Sequence, residues 1–374
     1  MPTPSRSLTI SRAADLVTDW CTGEGGPDRV GLELEWLTVR TADGSQPDLA
    51  TLEAVMAATT PPAGSRLTLE PGGQLEVSAP PFAGIAESIA AARADAAALE
   101  AAAHSAGLTL LARGSVPQPR ERLLHTPRYD AMEAWYDTRD PAGRWMMRNT
   151  AALQVNISTG PPDRWHVAVM AGPTLVAAFA NSPAPGWKSA RMGWWMAMDP
   201  QYTVSPADWA TQVLDAPVML IRVADDDFRA MTDTHSFRQW ITDGHALGFP
   251  TENDLAYHVT TLFPPVRCRG WLELRMLDAL PSPWWEVATA VAVSVLQDPA
   301  VAHYGSEGTE GLWEEAARVG LTDPRLARAA TRLFDAATES LDGDLAAAVE
   351  EYADRFVSRG RCPADELSGA PSWA

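Results

Sequence analysis

The stretch Val30–Trp36, VGLELEW, decides how the rest of the chain is read. Val30, Leu32, Leu34 and Trp36 fall on one parity, and Glu33 and Glu35 fall on the other. That is the pattern of a strand with an apolar face and an acidic face. Residues two apart on a strand project the same way, about 6.5 Å apart, which suits two carboxylates reaching toward one divalent cation or two neighbouring ones. Any half-solvated antiparallel sheet also alternates apolar and polar residues. The strand alone therefore does not establish a metal site, and the question is whether other strands supply further ligands.

Working outward, RLTLEPGGQLEVS (66–78) reads as two short strands joined at Pro71-Gly72-Gly73, with Glu70 and Glu76 on a second acidic face. In TAALQVNIS (150–158), Leu153, Val155 and Ile157 take one side while Gln154, Asn156 and Ser158 take the other. RCRGWLELRMLDA (267–279) sets Trp271, Glu273 and Arg275 on one face and Leu272, Leu274 and Met276 on the other. Arg275 is placed to offset a carboxylate and to bind a substrate oxygen. Ordinary solvent-facing strands would mix Lys, Thr, Ser and Arg, whereas these faces carry oxygen donors with hardly a base among them. A concave sheet with a polar cleft explains this, and carboxylates packed so closely call for Mg²⁺ or Mn²⁺ to offset their repulsion.

The intervening segments supply the frame. Helical spacing or composition predicts helices over Thr9–Cys21, Asp48–Thr59, the alanine-rich Phe82–Ala106 and Trp165–Ala180, with LTLLAR (108–113) as a buried strand. Arg120–Asp140, with Arg128, Tyr129, Trp135, Tyr136 and Arg139, either lines a pocket or caps the core. Ala180–Trp195 reads as a loop interrupted by Pro and Gly, where Gly186, Lys188, Ser189 and Arg191 sit together before the tryptophans. Lys188 is the chain's one lysine among 29 lysine and arginine residues. Long cations there suit a carboxylate or phosphate, and a solvated basic loop is the alternative reading. His235, His245 and His258 show no HxH or HxxxH spacing and read as surface or capping residues. Cys268 lies between Arg267 and Arg269 but lacks a partner motif for a nucleophile. Helical patterns fill Trp284–Phe356, and 361–374 reads as a loose tail after a single domain spanning 1–360.

A chain of 374 residues with 46% hydrophobic content supports a substantial core. No apolar run is long enough to span a membrane, and the opening MPTPSRSLTI carries no signal-peptide pattern. A net charge of −19 opposes nucleic acid or anionic lipid as partners. Three scattered cysteines, Cys21, Cys268 and Cys362, argue against a disulfide framework and fit a reducing cytoplasm.

Carboxylates that gather cations, beside cationic side chains, suit ATP chemistry, in which metal ions bridge phosphates and Lys or Arg stabilises transferred charge. Neither GxxxxGK[ST] nor GxGxxG occurs. The ordered set VGLELEW, LEPGGQLEVS, TAALQVNIS, ANSP with Gly186, Ser189 and Arg191, and WLELR resembles the plant and bacterial glutamate–cysteine ligases among the glutamine synthetase-like carboxylate–amine ligases. Within them it is most similar to the actinobacterial enzyme that opens ergothioneine biosynthesis. The resemblance implies an α+β fold, with a curved, mainly antiparallel sheet forming a funnel flanked by helices. It also implies ATP-dependent ligation of L-glutamate, through its γ-carboxylate and an acyl phosphate, to L-cysteine, in a monomer or weak homo-oligomer. By the same resemblance Glu33, Glu35, Glu76 and Glu273 are metal ligands. Gln154, Asn156 and Ser189 are cofactor-binding groups, and Lys188, Arg191 and Arg275 stabilise charge on phosphate or substrate carboxylate. Another ligase or guanidino kinase of this fold, or a noncatalytic Mg·ATP-binding module, remains the alternative.

Overall fold

Strand β1 (Val30–Arg40) sits at the centre of a seven-stranded sheet. The computed structural model describes residues 8–23, 27–199 and 208–367. The strands β2 (Arg66–Leu69), β3 (Leu75–Phe82), β4 (Leu108–Leu111), β5 (Ala152–Ser158), β8 (Val266–Cys268) and β9 (Trp271–Asp278) complete the sheet; β6 (Leu220–Ala224) and β7 (Asp227–Ala230) form a separate hairpin. The order is β2-β3-β1-β5-β9-β8, with β4 paired to the far end of β1, and every pairing is antiparallel. The fold is thus α+β with an antiparallel sheet, as the alternating strands imply. Register shifts interrupt β1 near Leu32 and β5 near Val155, and such bulges bend and twist a strand locally.

The parity of VGLELEW is what fixes β1 in place. Val30, Leu32, Leu34 and Trp36 are buried in one hydrophobic cluster that extends from Leu8 to Val357. Helices Ile85–Ser105, Arg164–Phe179 and Trp284–Gln297 pack against these strands. Apolar burial is the main drive holding this face, at roughly 25 cal/mol per Å². A one-residue slip of β1 would turn the glutamates into that core, so the register is strongly specified.

Three expectations need correction. The segment after Ala180 is less of a loop than its Pro and Gly content suggests, because Ser189 caps a helix over Ala190–Met198, accepting from the Met192 N–H. His258 is a core residue, stacked on Phe237 and hydrogen-bonded to the Val213 carbonyl, and burial lowers its pKa to about 4. Of the expected tail 361–374, residues 361–367 are held, with Cys362 and Ala364 packed on Ala180 and a short helix over Ala364–Leu367, while 368–374 lie outside the described residues. Composition misleads here because a brief segment anchored by a few buried atoms looks like any Pro-containing tail.

Candidate active site

The sheet register lays the polar residues side by side. Thr68 pairs with Glu76, Glu76 with Glu35, Glu33 with Gln154, Asn156 with Glu273, and Glu273 with Arg267. Directly opposed cross-strand residues have Cβ atoms roughly 5 Å apart, and like charges at that distance repel. Of this row, Thr68, Glu76, Glu35, Glu33, Gln154 and Arg267 line a cleft of about 390 Å³. Glu33, Glu35, Glu70 and Glu76 line it, as do Arg66, Arg128, Arg267, Arg269 and Arg275. Tyr129, Trp195 and Phe263 add apolar wall. A second recess of about 520 Å³ opens at the other end of the strands, lined by Arg29, Pro81, Asn156, Ser158 and the exposed Trp271. Glu33 lines both.

Each carboxylate is held differently. Glu35 accepts from the Ala152 N–H at 2.9 Å and from Gln154 Nε2 at 2.8 Å. Glu33 accepts from Asn156 Nδ2 at 3.1 Å. Glu76 Oε1 accepts from Thr68 Oγ1 at 2.7 Å and from Ser78 Oγ. Burial, followed by the charge of Glu76, pushes Glu35 up to about 7 and raises Glu33. Burial, with Glu76, Glu35 and Glu33, carries Glu70 well above the carboxylate range. Such an excess of negative charge calls for a cation.

Glu70 is the carboxylate that the expected ligand set left out. Its place depends on the hairpin turn, where Gly73 adopts φ +79° and the Glu70 N–H bonds the Gln74 carbonyl. The turn brings Glu70 over the face that carries Glu76. Glu273, expected as a metal ligand, is instead enclosed by arginines. Arg267 Nε lies 2.5 Å from one oxygen, Arg269 Nε 2.6 Å from the other, and Arg275 Nη1 3.4 Å from the first. Burial opposes its charge, but Arg267, Arg275 and Arg269 outweigh that and hold it at about 2. A cation at Glu273 has to replace a guanidinium contact.

The cationic candidates also separate. Arg275 is in the cleft and donates through Nη1 to Gln154 Oε1 at 2.6 Å. Arg191 lies behind the wall, donating from Nη2 to the Arg275 carbonyl at 2.7 Å with its guanidinium 4.7 Å from the Trp195 ring. Lys188 and Ser189 do not line the cleft: the ammonium pairs with Asp365, and the hydroxyl donates to Asp278 at 3.0 Å. Arg128, Arg267 and Arg269 are cleft groups that the candidate set did not include. Strand alternation turns the two arginines that flank Cys268 toward Glu273.

Glutamates, an amide oxygen and open space form a donor set for a hard divalent cation. Asn156 Oδ1 is buried without a hydrogen-bond partner beside Glu33, which leaves an oxygen acceptor available. Among the described residues no three carboxylate, His or Cys side chains enclose a single ion as they stand. Arg275 Nε and Arg128 Nε are buried donors without partners, which fits an anionic substrate.

The family model of glutamate–cysteine ligase family 2 matches residues 29–372. A glutamate–cysteine ligase EgtA of Mycobacterium tuberculosis is 38% identical over 388 residues, covering 96% of this chain and 89% of its own. The EgtA of Mycolicibacterium smegmatis is 38% identical over 92% of this chain and 88% of its own. The chloroplastic glutamate–cysteine ligase of Brassica juncea is 28% identical over 63% of this chain and 50% of its own. Among solved structures, the glutamate–cysteine ligase of Francisella tularensis in complex with AMP aligns over 92% of this chain and 85% of its own, with 13% identity and a TM-score of 0.44. No helix of the described residues is long and apolar enough to cross a membrane. With its acidic row in place and near-full-length relatives at 38% identity, the chain belongs to glutamate–cysteine ligase family 2.

Proposed function

We propose that this protein couples ATP cleavage to amide formation between the γ-carboxylate of L-glutamate and the amine of L-cysteine, giving γ-glutamylcysteine, ADP and phosphate, with the dipeptide entering ergothioneine biosynthesis. The observation that carries the reading is Glu33, which lines both the arginine-rich cleft and the recess at Trp271. A phosphate chain entering from one side meets a carboxylate from the other at that residue.

The arginine-rich side suits glutamate. Arg128 and Arg275 present buried donors to a carboxylate, and bidentate guanidinium contacts fix its orientation. The recess with Trp271 and Pro81 suits a purine, which stacks on an indole face while Ser158 and Arg29 offer polar contacts at the rim. A bound Mg²⁺ would draw its carboxylates from Glu33, Glu35, Glu70 and Glu76, with the Asn156 amide oxygen at hand, and would supply positive charge to offset the phosphates. The protein's share is then positioning. Gln154, bonded to both Glu35 and Arg275, keeps the acidic row and the cationic wall in register. The γ-carboxylate oxygen attacks the terminal phosphorus and ADP leaves; the cysteine amine then attacks the acyl carbon, phosphate leaves and the ammonium proton is lost. Holding the partners in line supplies much of the acceleration, and the walls keep water from the acyl phosphate.

The test is to supply ATP, Mg²⁺ and glutamate with a panel of amines, following phosphate release and product mass. Cysteine should give the dipeptide mass and the largest phosphate release. Faster reaction with another amine would reassign the acceptor, and binding of ATP without any product would favour a noncatalytic module.

A further inference from the structure

Behind the cleft, the segment 181–190 is folded over one buried carboxylate. Asp278, at the end of β9, accepts from the Asn181 N–H at 2.8 Å, Ser182 Oγ at 2.7 Å and Ser189 Oγ at 3.0 Å. The Arg191 guanidinium stands 4.0 Å from it, and both residues are almost wholly inaccessible, at 2% and 1% exposure. Gly114 is required for this approach, since a Cβ there would lie 2.3 Å from the Asp278 carboxyl carbon.

From Arg191 the contacts lead into the cleft. Its Nη2 bonds the Arg275 carbonyl at 2.7 Å, and its plane and that of Arg275 share the Trp195 ring, at 4.7 and 5.6 Å. Arg275 bonds Gln154, which bonds Glu35. On its other side the segment is tied to the C-terminal residues: Lys188 pairs with Asp365, and the Ala364 N–H donates to the Ala180 carbonyl at 3.0 Å. The Lys188 and Asp365 side chains are about three-quarters buried, at 23% and 20% exposure, where an ion pair is screened less than at the surface.

We propose that Asp278 is a positioning residue for glutamate activation, and that the Lys188–Asp365 pair is its second anchor. Together they hold the segment 181–190 so that Arg191 fixes the main chain and ring environment of Arg275. This rests on the proposed ligase reaction. None of the three residues lines the cleft. For a carboxylate that receives three donors beside an arginine, the isosteric amide does not substitute: it loses an acceptor and the charge facing Arg191.

The test compares wild type with Asp278→Asn, Lys188→Met, Lys188→Asp, Asp365→Lys and the exchanged pair Lys188→Asp/Asp365→Lys. Each is assayed as the full chain for kcat, for KM of glutamate and of ATP separately, and for melting temperature. Asp278→Asn should lower kcat/KM for glutamate about tenfold or more, and Lys188→Met several-fold, with the ATP KM within about twofold of wild type. The exchanged pair should recover most of what its two single charge variants lose. If Asp278→Asn does not fold, the lysine and exchange variants decide. Folded Lys188→Met with unchanged glutamate constants, or ATP and glutamate constants falling together in every variant, overturns the proposal. A wild-type chain that forms no dipeptide in the same assay overturns the ligase reading on which it rests.

Discussion

Glu35 on β1 stands directly opposite Glu76 on β3 in the sheet register, and Glu70 is brought over the same face by the hairpin between β2 and β3. Like charges at paired strand positions cost stability, and nothing in the packing of the opposite face requires them. Glu35→Gln should therefore cut two ways. Turnover should fall by about a hundredfold or more through loss of a cation ligand, while the substrate-free protein at pH 8 should melt at a higher temperature than wild type. Steady-state assay and calorimetry on the same preparation check both. Wild-type turnover in this variant would remove Glu35 from the site.

The raised proton affinities set a pH dependence of stability. Glu35, pushed to about 7, and Glu33 and Glu70, also raised, hold protons in the folded chain that the unfolded chain has released. Between the unfolded carboxylate value near 4.3 and pH 7 the folded state binds more protons, so this contribution to stability falls as pH rises. The cation that replaces those protons should matter most where they are gone. The upward shift in melting temperature caused by Mg²⁺ is expected to be larger at pH 8 than at pH 5.5. An equal shift at both would contradict carboxylate binding.

Glu273 behaves oppositely. Held at about 2 by Arg267, Arg275 and Arg269, against the cost of its burial, it contributes stability that is present above the unfolded carboxylate value and lost as pH falls toward 2. Glu273→Gln leaves Arg267 buried beside other cations, and breaking such a pair costs about 3–5 kcal/mol. A fall in denaturant midpoint of that size, with an unchanged slope, is the expected result.

The recess at Trp271 should be separable from the arginine-rich cleft. Trp271→Ala should raise the KM for ATP about tenfold, the worth of a stacked ring at roughly 1–1.5 kcal/mol, with little change in the KM for glutamate. Arg275→Lys should do the reverse, because an ammonium cannot reproduce the guanidinium fork between Gln154 and the substrate. Initial rates with each substrate varied in turn measure both.

How much of this was legible in the sequence follows from the physics of alternation. β1, β3, β5 and β9 each carry an apolar face against helices and a polar face on the other side, so parity alone placed Glu33, Glu35, Glu76, Gln154 and Arg275 together in the cleft and Asn156 beside Glu33 in the adjoining recess. Parity stops at the strand ends. Glu70 belongs to a turn whose conformation is set by Gly73, and Arg267 acts from an edge strand of three residues. Charge in the segment before Ala190 announced a cationic site, yet Lys188 turns away to Asp365 and Ser189 turns inward to Asp278. Which side a loop presents depends on partners distant in sequence, and Asp365 lies 177 residues from Lys188.

The central claim is that a glutamate γ-carboxylate accepts phosphate over the acidic row before the amine attacks. The direct measurement supplies glutamate labelled with ¹⁸O in its γ-carboxylate, with ATP, Mg²⁺ and cysteine, and reads the isotope in the released phosphate by mass spectrometry. Activation through an acyl phosphate predicts one labelled oxygen in each phosphate formed, in step with dipeptide. Dipeptide formed with unlabelled phosphate would contradict it.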